Sequence, residues 1–262
     1  MAMKKTILLI HGAWMTPACW ASFRSLYEAR GYECLTPPWP FLDRPIGELR
    51  RAPHPELASV TIKNLVDHFH RIIRSLPEPP IVMGHSFGGL IAQMLADRGL
   101  GLAAVAIDPG PPRWVLPSPT AIRSALPVLS SWNGWNRVLT MSFASFAGTF
   151  ANTLPPSDQR DAYETQVVPA PGRIYFQAAF GIGNGVRFGN SGRPPMLLLS
   201  GRADKTSTTS MARSMLKKHR RSPIPVDLIE FEGRSHWLIA EPGWEEVAQR
   251  ALDWCELQIK RS

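Results

Sequence analysis

The chain has 262 residues, which is enough for one or two domains with a buried core. Apolar residues make up 44% of the sequence and charged residues 19%, a balance that excludes an intrinsically disordered chain. The formal net charge is +8, but the basic residues are scattered, apart from one run at residues 217–221 near the end of a predicted helix. Positive side chains favour a helix C-terminus, so we expect a solvated helix end there and no nucleic-acid partner.

No apolar run approaches the roughly 18 residues that a transmembrane helix needs. Two lysines before an apolar run make the N-terminus resemble a signal peptide, but Ile7–Ile10 is far shorter than the apolar region of about 7–15 residues in such peptides. We therefore expect no membrane span and a cytoplasmic protein. Cys19, Cys34 and Cys255 form no Cys-x-x-Cys pair, and so sparse and odd a set predicts free thiols and no structural zinc.

Short apolar runs alternate with helical patterns along the chain. Buried strands are expected at residues 6–10, 32–36, 81–83, 103–107, 196–200 and 226–231. Helices are expected at residues 17–30 and 57–76, from a turn at Gly84 to Gly99, and after Pro242, with a proline-rich loop at 37–56. This alternation predicts an α/β fold with a mostly parallel six-stranded sheet flanked by helices. In such sheets the functional residues follow the carboxyl ends of the strands.

Residues 110–193 interrupt the alternation, contain no lysine and are rich in proline and aromatic residues. So long a loop without secondary structure is implausible in a compact domain, so we expect a helical lid inserted into a core formed by 1–109 and 194–262. Most aromatic residues at helical steps in the lid are expected to pack in its own core. These residues are Trp132, Trp135, Phe143, Phe146 and Phe150.

Residues 84–88 are Gly-His-Ser-Phe-Gly, a G-x-S-x-G pattern between a predicted strand and a predicted helix. This context is typical of a nucleophile elbow, which would expose the hydroxyl of Ser86 at the edge of the sheet. A serine hydroxyl needs a base and an orienting acid to act at neutral pH. His236 follows the last predicted strand and Asp204 the strand before it, in the expected chain order. Asp108, directly after strand 103–107, is the alternative acid, but the Gly-x-x-Asp context favours Asp204.

A tetrahedral intermediate would need two hydrogen-bond donors for its oxyanion. One predicted donor is the backbone N–H of Phe87, and the other lies in the loop after the first strand, which ends at Trp14. We expect the side chains of Trp14, His85 and Trp237 to line the substrate pocket, although core packing is an equally good role for Trp14.

Four stretches together resemble the α/β-hydrolase family, and the resemblance covers nearly the whole chain except the lid. The first is residues 7–14, Ile-Leu-Leu-Ile-His-Gly-Ala-Trp, followed by the turn around Ser86. The others are residues 201–204, Gly-Arg-Ala-Asp, and residues 235–237, Ser-His-Trp. The resemblance implies a compact version of the fold that lacks the family's first two strands.

The resemblance also implies roles for these residues. Ser86 would be the nucleophile, His236 the general base and then acid, and Asp204 the residue that orients the imidazole. The backbone N–H of Ala13 would join that of Phe87 in the oxyanion hole.

The same resemblance narrows the reaction class. Ser86 argues against the haloalkane dehalogenase and epoxide hydrolase branches, which carry Asp at this position. Gly12 and Trp237 argue against the hydroxynitrile lyases, which carry Thr and Lys at these places. We therefore expect a serine hydrolase that cleaves an apolar small-molecule ester or lactone through an acyl-enzyme, without a cofactor or metal.

Several alternatives stay open at this point. A perhydrolase or haloperoxidase-like reaction, or hydrolysis of a C–C bond, would use the same triad. A small-ligand receptor is the non-enzymatic alternative, because fold does not determine function. A homo-oligomer formed through the lid is also possible on the sequence alone.

Overall fold

The computed structural model of the protein describes residues 5–261. It contains eight strands in this part of the chain: β1 (Thr6–Ile10), β2 (Glu33–Leu35), β3 (Ile81–His85), β4 (Ala103–Ile107), β5 (Val138–Leu139), β6 (Ala170–Pro171), β7 (Met196–Gly201) and β8 (Val226–Phe231). Six of them form one parallel sheet in the order β2-β1-β3-β4-β7-β8. The predicted six-stranded α/β sheet is confirmed, and each predicted strand agrees with the observed one to within two residues.

Ten helices accompany the strands within residues 5–261: α1 (Ala21–Ala29), α2 (Ile46–Arg51), α3 (Ile62–Ser75), α4 (Phe87–Asp97), α5 (Pro119–Leu129), α6 (Phe143–Ser145), α7 (Pro156–Gln166), α8 (Arg173–Phe180), α9 (Thr209–His219) and α10 (Trp244–Ile259). Helix α4 packs on β3, β4 and α3, and α10 packs on β4, β7 and α1. Every residue of β3, β4 and β7 is buried, as expected for parallel strands covered by helices. None of these helices combines the length and apolar character that crossing a membrane requires.

The helix prediction was wrong in several places. The proline-rich stretch 37–56 contains helix α2, with Pro45 at its N-cap, Glu48 in its first turn and Arg50 in its last turn, charges that suit the helix dipole. The helix predicted at 57–76 begins only at Ile62, because a short 3₁₀ turn at Pro55–Ser59 precedes it.

The late start of α3 has a local cause at Thr61. Its hydroxyl accepts the backbone N–H of Asn64, and the Asn64 side chain accepts the backbone N–H of Thr61. This reciprocal capping box satisfies two donors that would otherwise be unpaired at the helix start. The last helix likewise begins at Trp244 rather than at Pro242, because Gly243 between them has a φ of 90°.

The segment between β4 and β7, residues 108–195 (the inserted segment), contains α5 to α8 and the two-stranded antiparallel ribbon of β5 and β6. Only two of the five aromatic residues that were expected to pack in its core, Phe146 and Phe150, are buried. Trp132 follows the end of α5 and is 89% exposed, which contradicts a core role. Phe146 and Phe150 are fully buried, but they lie on one turn of π-helix rather than on a regular α-helix.

The turn between β3 and α4 depends on a glycine at position 84. A Cβ atom added to Gly84 would lie 2.0 Å from the carbonyl oxygen of Gly88, which is far inside van der Waals contact. Because the clash is with backbone, no side-chain rotation can relieve it. The strand and the helix approach each other this closely only without a side chain at this position.

We expect Gly84→Ala to lower the free energy of unfolding by about 3 kcal/mol, since the added methyl group overpacks a rigid turn. Gly47→Ala is the matched control, because nothing lies within 4 Å of a Cβ atom at that position in α2. The control is expected to be neutral or to stabilise the protein by up to about 1 kcal/mol through helix propensity. Urea unfolding of both variants measures the difference, and a Gly84→Ala variant as stable as wild type would contradict the prediction.

Candidate active site

Ser86 occupies a sharp turn between the end of β3 and the start of α4. Its φ of 57° and ψ of −122° lie outside the regions that residues with a side chain normally adopt. Two backbone hydrogen bonds hold this conformation: the Ser86 N–H donates to Ile107 O at 2.9 Å, and the Ser86 carbonyl accepts the N–H of Gly110 at 2.9 Å. The turn is therefore the sharp strand-to-helix junction that the sequence pattern predicts.

The loop after β1 lies directly against this turn. A Cβ atom added to Gly12 would be 2.7 Å from the Ser86 Cβ atom and 3.3 Å from its hydroxyl oxygen. Gly12 therefore allows the loop that contains Ala13 to approach the serine. The N–H of Phe87, the first residue of α4, belongs to the group of helix-start donors without an intrahelical acceptor.

His11 fixes the shape of the same loop. Its Nδ1 donates to the carbonyl of Gly12 at 2.8 Å, and its Nε2 accepts the backbone N–H of Trp39 at 3.2 Å. Burial lowers the pKa of His11 to about 4. The ring is therefore neutral near pH 7 and acts as a fixed hydrogen-bonding strut.

His236 and Asp204 form a buried pair beyond the ends of the last two strands. Nδ1 of His236 lies 2.7 Å from Oδ2 of Asp204, and the other oxygen, Oδ1, accepts the N–H groups of Thr206 and Ser207 at 2.6 and 2.9 Å. The Asp204 carboxylate is thus held by three donors. With the proton on Nδ1, the Nε2 atom of His236 carries a lone pair, and within residues 5–261 no group hydrogen-bonds it.

His85 lies behind His236 and not in the wall of a pocket, contrary to the prediction. Its Nε2 donates to the carbonyl of His236 at 2.7 Å, and the two rings are 4.8 Å apart. Burial, together with the nearby His236, holds the pKa of His85 well below its usual range. This neutral ring therefore supports the backbone of His236 from the side of β3.

Trp237 was also predicted to line the pocket, but it is only 3% exposed and lies in an aromatic cluster. Its ring centroid lies 6.3 Å from that of Phe146 and 5.9 Å from that of Phe150. Phe150 also contacts His236 edge to face at 4.6 Å. The inserted segment therefore covers the histidine with an aromatic ring, which keeps water from one side of it.

Glu241 holds the loop that carries His236, and the sequence analysis did not identify it. Its Oε1 accepts the backbone N–H of Ser235 at 2.9 Å, and its Oε2 accepts the Ser235 hydroxyl at 2.8 Å. The Thr153 hydroxyl of the inserted segment donates to the same Oε2 atom. No short motif marks such a residue, because its partners are brought together only by the fold.

A cavity of about 720 Å³ opens above Ser86, a volume typical of small-molecule sites. Trp14 and Phe87 form part of its wall, and Trp14 is also buried. Tyr175 of the inserted segment packs between them, with ring centroids 5.5 Å from Trp14 and 4.9 Å from Phe87. Most of the remaining wall comes from residues 110–181, and among the described lining residues Arg113 alone is charged.

A sequence profile described as the alpha/beta hydrolase family matches residues 7–250. The chain belongs to this family. A search of curated protein sequences finds no match.

Solved structures of other alpha/beta hydrolases superpose on nearly the whole chain. The monoacylglycerol lipase of Paleococcus ferrophilus has a TM-score of 0.69 and 19% identity, over 98% of this chain and 95% of that one. Polyneuridine aldehyde esterase has a TM-score of 0.66 and 14% identity, over 96% of this chain and 99% of that one. A pyrethroid hydrolase from Sphingobium faniae has a TM-score of 0.67 and 20% identity, over 97% and 98%. At these identities the likeness establishes the fold.

Three residues of this alpha/beta hydrolase have the spacing of possible metal ligands. Among residues 5–261, His85, Asp108 and His236 each offer one ligand atom, and these atoms lie within 4.8 Å of one another. Two ligand atoms that each lie about 2 Å from one zinc ion are at most about 4 Å apart. A spacing of up to 4.8 Å therefore does not by itself indicate a zinc site. Nε2 of His85 and Nδ1 of His236 already make hydrogen bonds. That the protein needs neither metal nor cofactor stays a prediction.

The pKa of His11 leads to a prediction about stability and pH. Unfolded histidine binds a proton below about pH 6.5, whereas folded His11 binds one only below about pH 4. Stability is therefore lost as the pH falls through this window, by about 2 kcal/mol between pH 7 and pH 5. His11→Gln, which keeps a donor and an acceptor but cannot titrate, is expected to remove this part of the pH dependence.

Urea unfolding at several pH values measures this effect. Ser59→Ala, which alters an exposed hydroxyl and no titrating group, is the control and is expected to keep the pH dependence of wild type. Parallel curves for wild type and His11→Gln would contradict the prediction.

Proposed function

We propose that the protein is a serine hydrolase that cleaves a carboxylic ester or lactone in the cavity above Ser86. One observation carries the proposal: a serine on a strained turn lines this cavity, and His236, whose ring lies 4.8 Å from that of His85, the residue before the serine, has its Nδ1 bound to a carboxylate. Thr206 and Ser207, whose N–H groups hold Asp204, line the same cavity. Nucleophile, base and acid would therefore act on one substrate position.

The hydrogen bond to Asp204 fixes the tautomer in which Nε2 of His236 is the base. Nε2 takes the proton of the Ser86 hydroxyl as the oxygen attacks the carbonyl carbon of the ester. The tetrahedral intermediate then collapses, its C–O bond to the alcohol breaks, and Nε2 returns the proton to the departing oxygen. Water repeats these steps on the acyl-enzyme and releases the acid. The serine–histidine hydrogen bond often forms only once substrate is present.

The negative oxygen of each intermediate needs two donors held in place beforehand. The N–H of Phe87 at the start of α4 is one proposed donor, and the N–H of Ala13 is the other. The close packing of Gly12 on Ser86 and the two hydrogen bonds of His11 support this role for the loop. Because both donors are backbone groups, they require no side-chain ordering during the reaction.

The wall of the cavity favours an uncharged, apolar substrate. Its surface is built mainly from apolar side chains and a few hydroxyl groups, with Arg113 as the one charged lining residue among those described. We propose that residues 110–193 form the lid and that 1–109 and 194–262 form the core. The names of the similar lipase, esterase and pyrethroid hydrolase support an ester-type substrate. The free, buried thiols of Cys19, Cys34 and Cys255 fit a reducing compartment such as the cytoplasm.

Ser86→Ala tests the proposed nucleophile. The variant is expected to lower kcat/KM for p-nitrophenyl esters by about 10³-fold or more, because loss of one triad member leaves only the oxyanion hole and binding. A fluorophosphonate should add covalently to wild type and not to the variant, as seen by intact mass.

The matched control is Ser59→Ala, which alters an exposed serine at the end of a 3₁₀ turn. It should keep wild-type rates. Hydrolysis that persists in Ser86→Ala, or a folded wild type without any hydrolysis of esters or lactones, would contradict the proposed function.

The apolar cavity predicts a rate that rises with acyl length. Each additional methylene buried is worth about 0.8 kcal/mol, so kcat/KM should rise roughly fourfold per carbon until the cavity is filled. Ala125→Trp, on the lining face of α5, should remove this rise while leaving acetate esters nearly unaffected. Ala144→Trp, at an exposed position of the same segment, should behave like wild type. A wild-type preference for acetate would contradict an acyl site in this cavity.

A further inference from the structure

Asp108 is a second buried carboxyl group beside the proposed triad. It follows β4 directly, has a φ of 39° and precedes Pro109, so its backbone position is fixed. Its Oδ1 accepts the backbone N–H of Gly201 at 2.9 Å. Its Oδ2 is buried, and no donor within residues 5–261 hydrogen-bonds it. A buried carboxylate oxygen without a donor is costly, so this atom needs an explanation.

The groups around Asp108 come from three further parts of the chain. Its side chain lies beside that of Asp204, because both carboxyls surround His236, and the Glu241 carboxyl adds further negative charge nearby. His85 and His236 face the same group, with nitrogen atoms within 4.8 Å of the Asp108 carboxyl. His85 is neutral, so it supplies no compensating positive charge. Two neighbouring carboxylates in a dry site cannot both keep a negative charge at low cost.

The hydrogen bonds indicate which carboxyl is ionised. Asp204 accepts three donors, from Thr206 N–H, Ser207 N–H and His236 Nδ1–H. Asp108 accepts one, from Gly201 N–H. Donors stabilise the charged form of an acid, so the negative charge belongs on Asp204. A proton on Oδ2 of Asp108 would turn this unpaired buried atom into a hydrogen-bond donor beside the Asp204 carboxylate.

We propose that Asp108 and Asp204 share one proton, held on Asp108, so that Asp108 is a neutral acid that donates a hydrogen bond to the Asp204 carboxylate. The direction of the Asp108 titration agrees, since burial and the neighbouring Asp204 hold its pKa well above the usual range. Asp108 is then a positioning residue that keeps Asp204 in place against His236. The positioning role of Asp108 rests on the proposed function. The shared proton is independent of that function.

The shared proton can be detected without substrate, through the pH dependence of the unfolding equilibrium. Above about pH 4 an unfolded aspartate is ionised, whereas folded Asp108 would still carry its proton. Unfolding then releases one proton, so the unfolding constant of wild type should rise tenfold per pH unit between pH 5 and 7 relative to Asp108→Asn. All other titrating groups are common to both proteins and cancel in this ratio. A ratio that stays constant over this range would overturn the proposal.

A direct measurement covers the case in which Asp108→Asn does not fold. Infrared spectra of wild type at pH 7 should show the carbonyl stretch of a protonated carboxyl group, which ionised carboxylates lack. Its absence would also overturn the proposal.

Activity then tests the positioning role. Asp108→Leu, which fills the site without a donor, should lower kcat at least tenfold with KM little changed. Asp108→Asn keeps a donor and should recover most of this loss, whereas Asp204→Asn should lose about 10³-fold or more. An Asp108→Asn variant as inactive as Asp204→Asn would overturn the neutral acid and make Asp108 the ionised member. If Ser86→Ala keeps full activity, the proposed function fails, but the pH series still decides the shared proton.

Discussion

The backbone of the turn at Ser86 is the constraint on which the rest of the site depends. The backbone conformation of Ser86 is strained for a residue with a side chain. It persists because hydrogen bonds from two neighbouring segments hold both the N–H and the carbonyl of this residue. The N–H points to the last residue of β4, and the carbonyl points to the chain just beyond Pro109. The serine is therefore anchored to the strand that Asp108 directly follows. The proposed nucleophile and this buried acid are thus held by the same strand.

His236 is fully buried, so the charges around its ring are only weakly screened by water. Phe150 covers the ring, neutral His85 supports its backbone, and Glu241 secures the preceding residue. In so low a dielectric, any surplus charge interacts strongly with the imidazole. With the shared proton proposed above, the acid side would carry one negative charge, which matches the one positive charge that the ring would carry during the proposed reaction.

The sequence predicts the sheet well because buried parallel strands are short apolar runs between turns. It also predicts the chain positions of Ser86, Asp204 and His236, since each follows a strand. The sequence does not predict contacts between residues that are far apart along the chain. Phe150 against His236 is one example, and Asn152, which donates to the carbonyl of Ala203 beside the acid, is another. Local patterns contain no information on which loop such residues meet.

The inserted segment connects β4 to β7, and these two strands are paired neighbours in the sheet. The register of these strands, with Ala104 opposite Met196, is set by the sheet alone. Residues 146–153 of the segment are tied to the site, since they contact His236, Trp237 and Glu241. The rest of the segment supplies most of the cavity wall, while the proposed reacting groups follow strand ends. Changes outside residues 146–153 could therefore alter what the cavity admits while the strand ends stay in place.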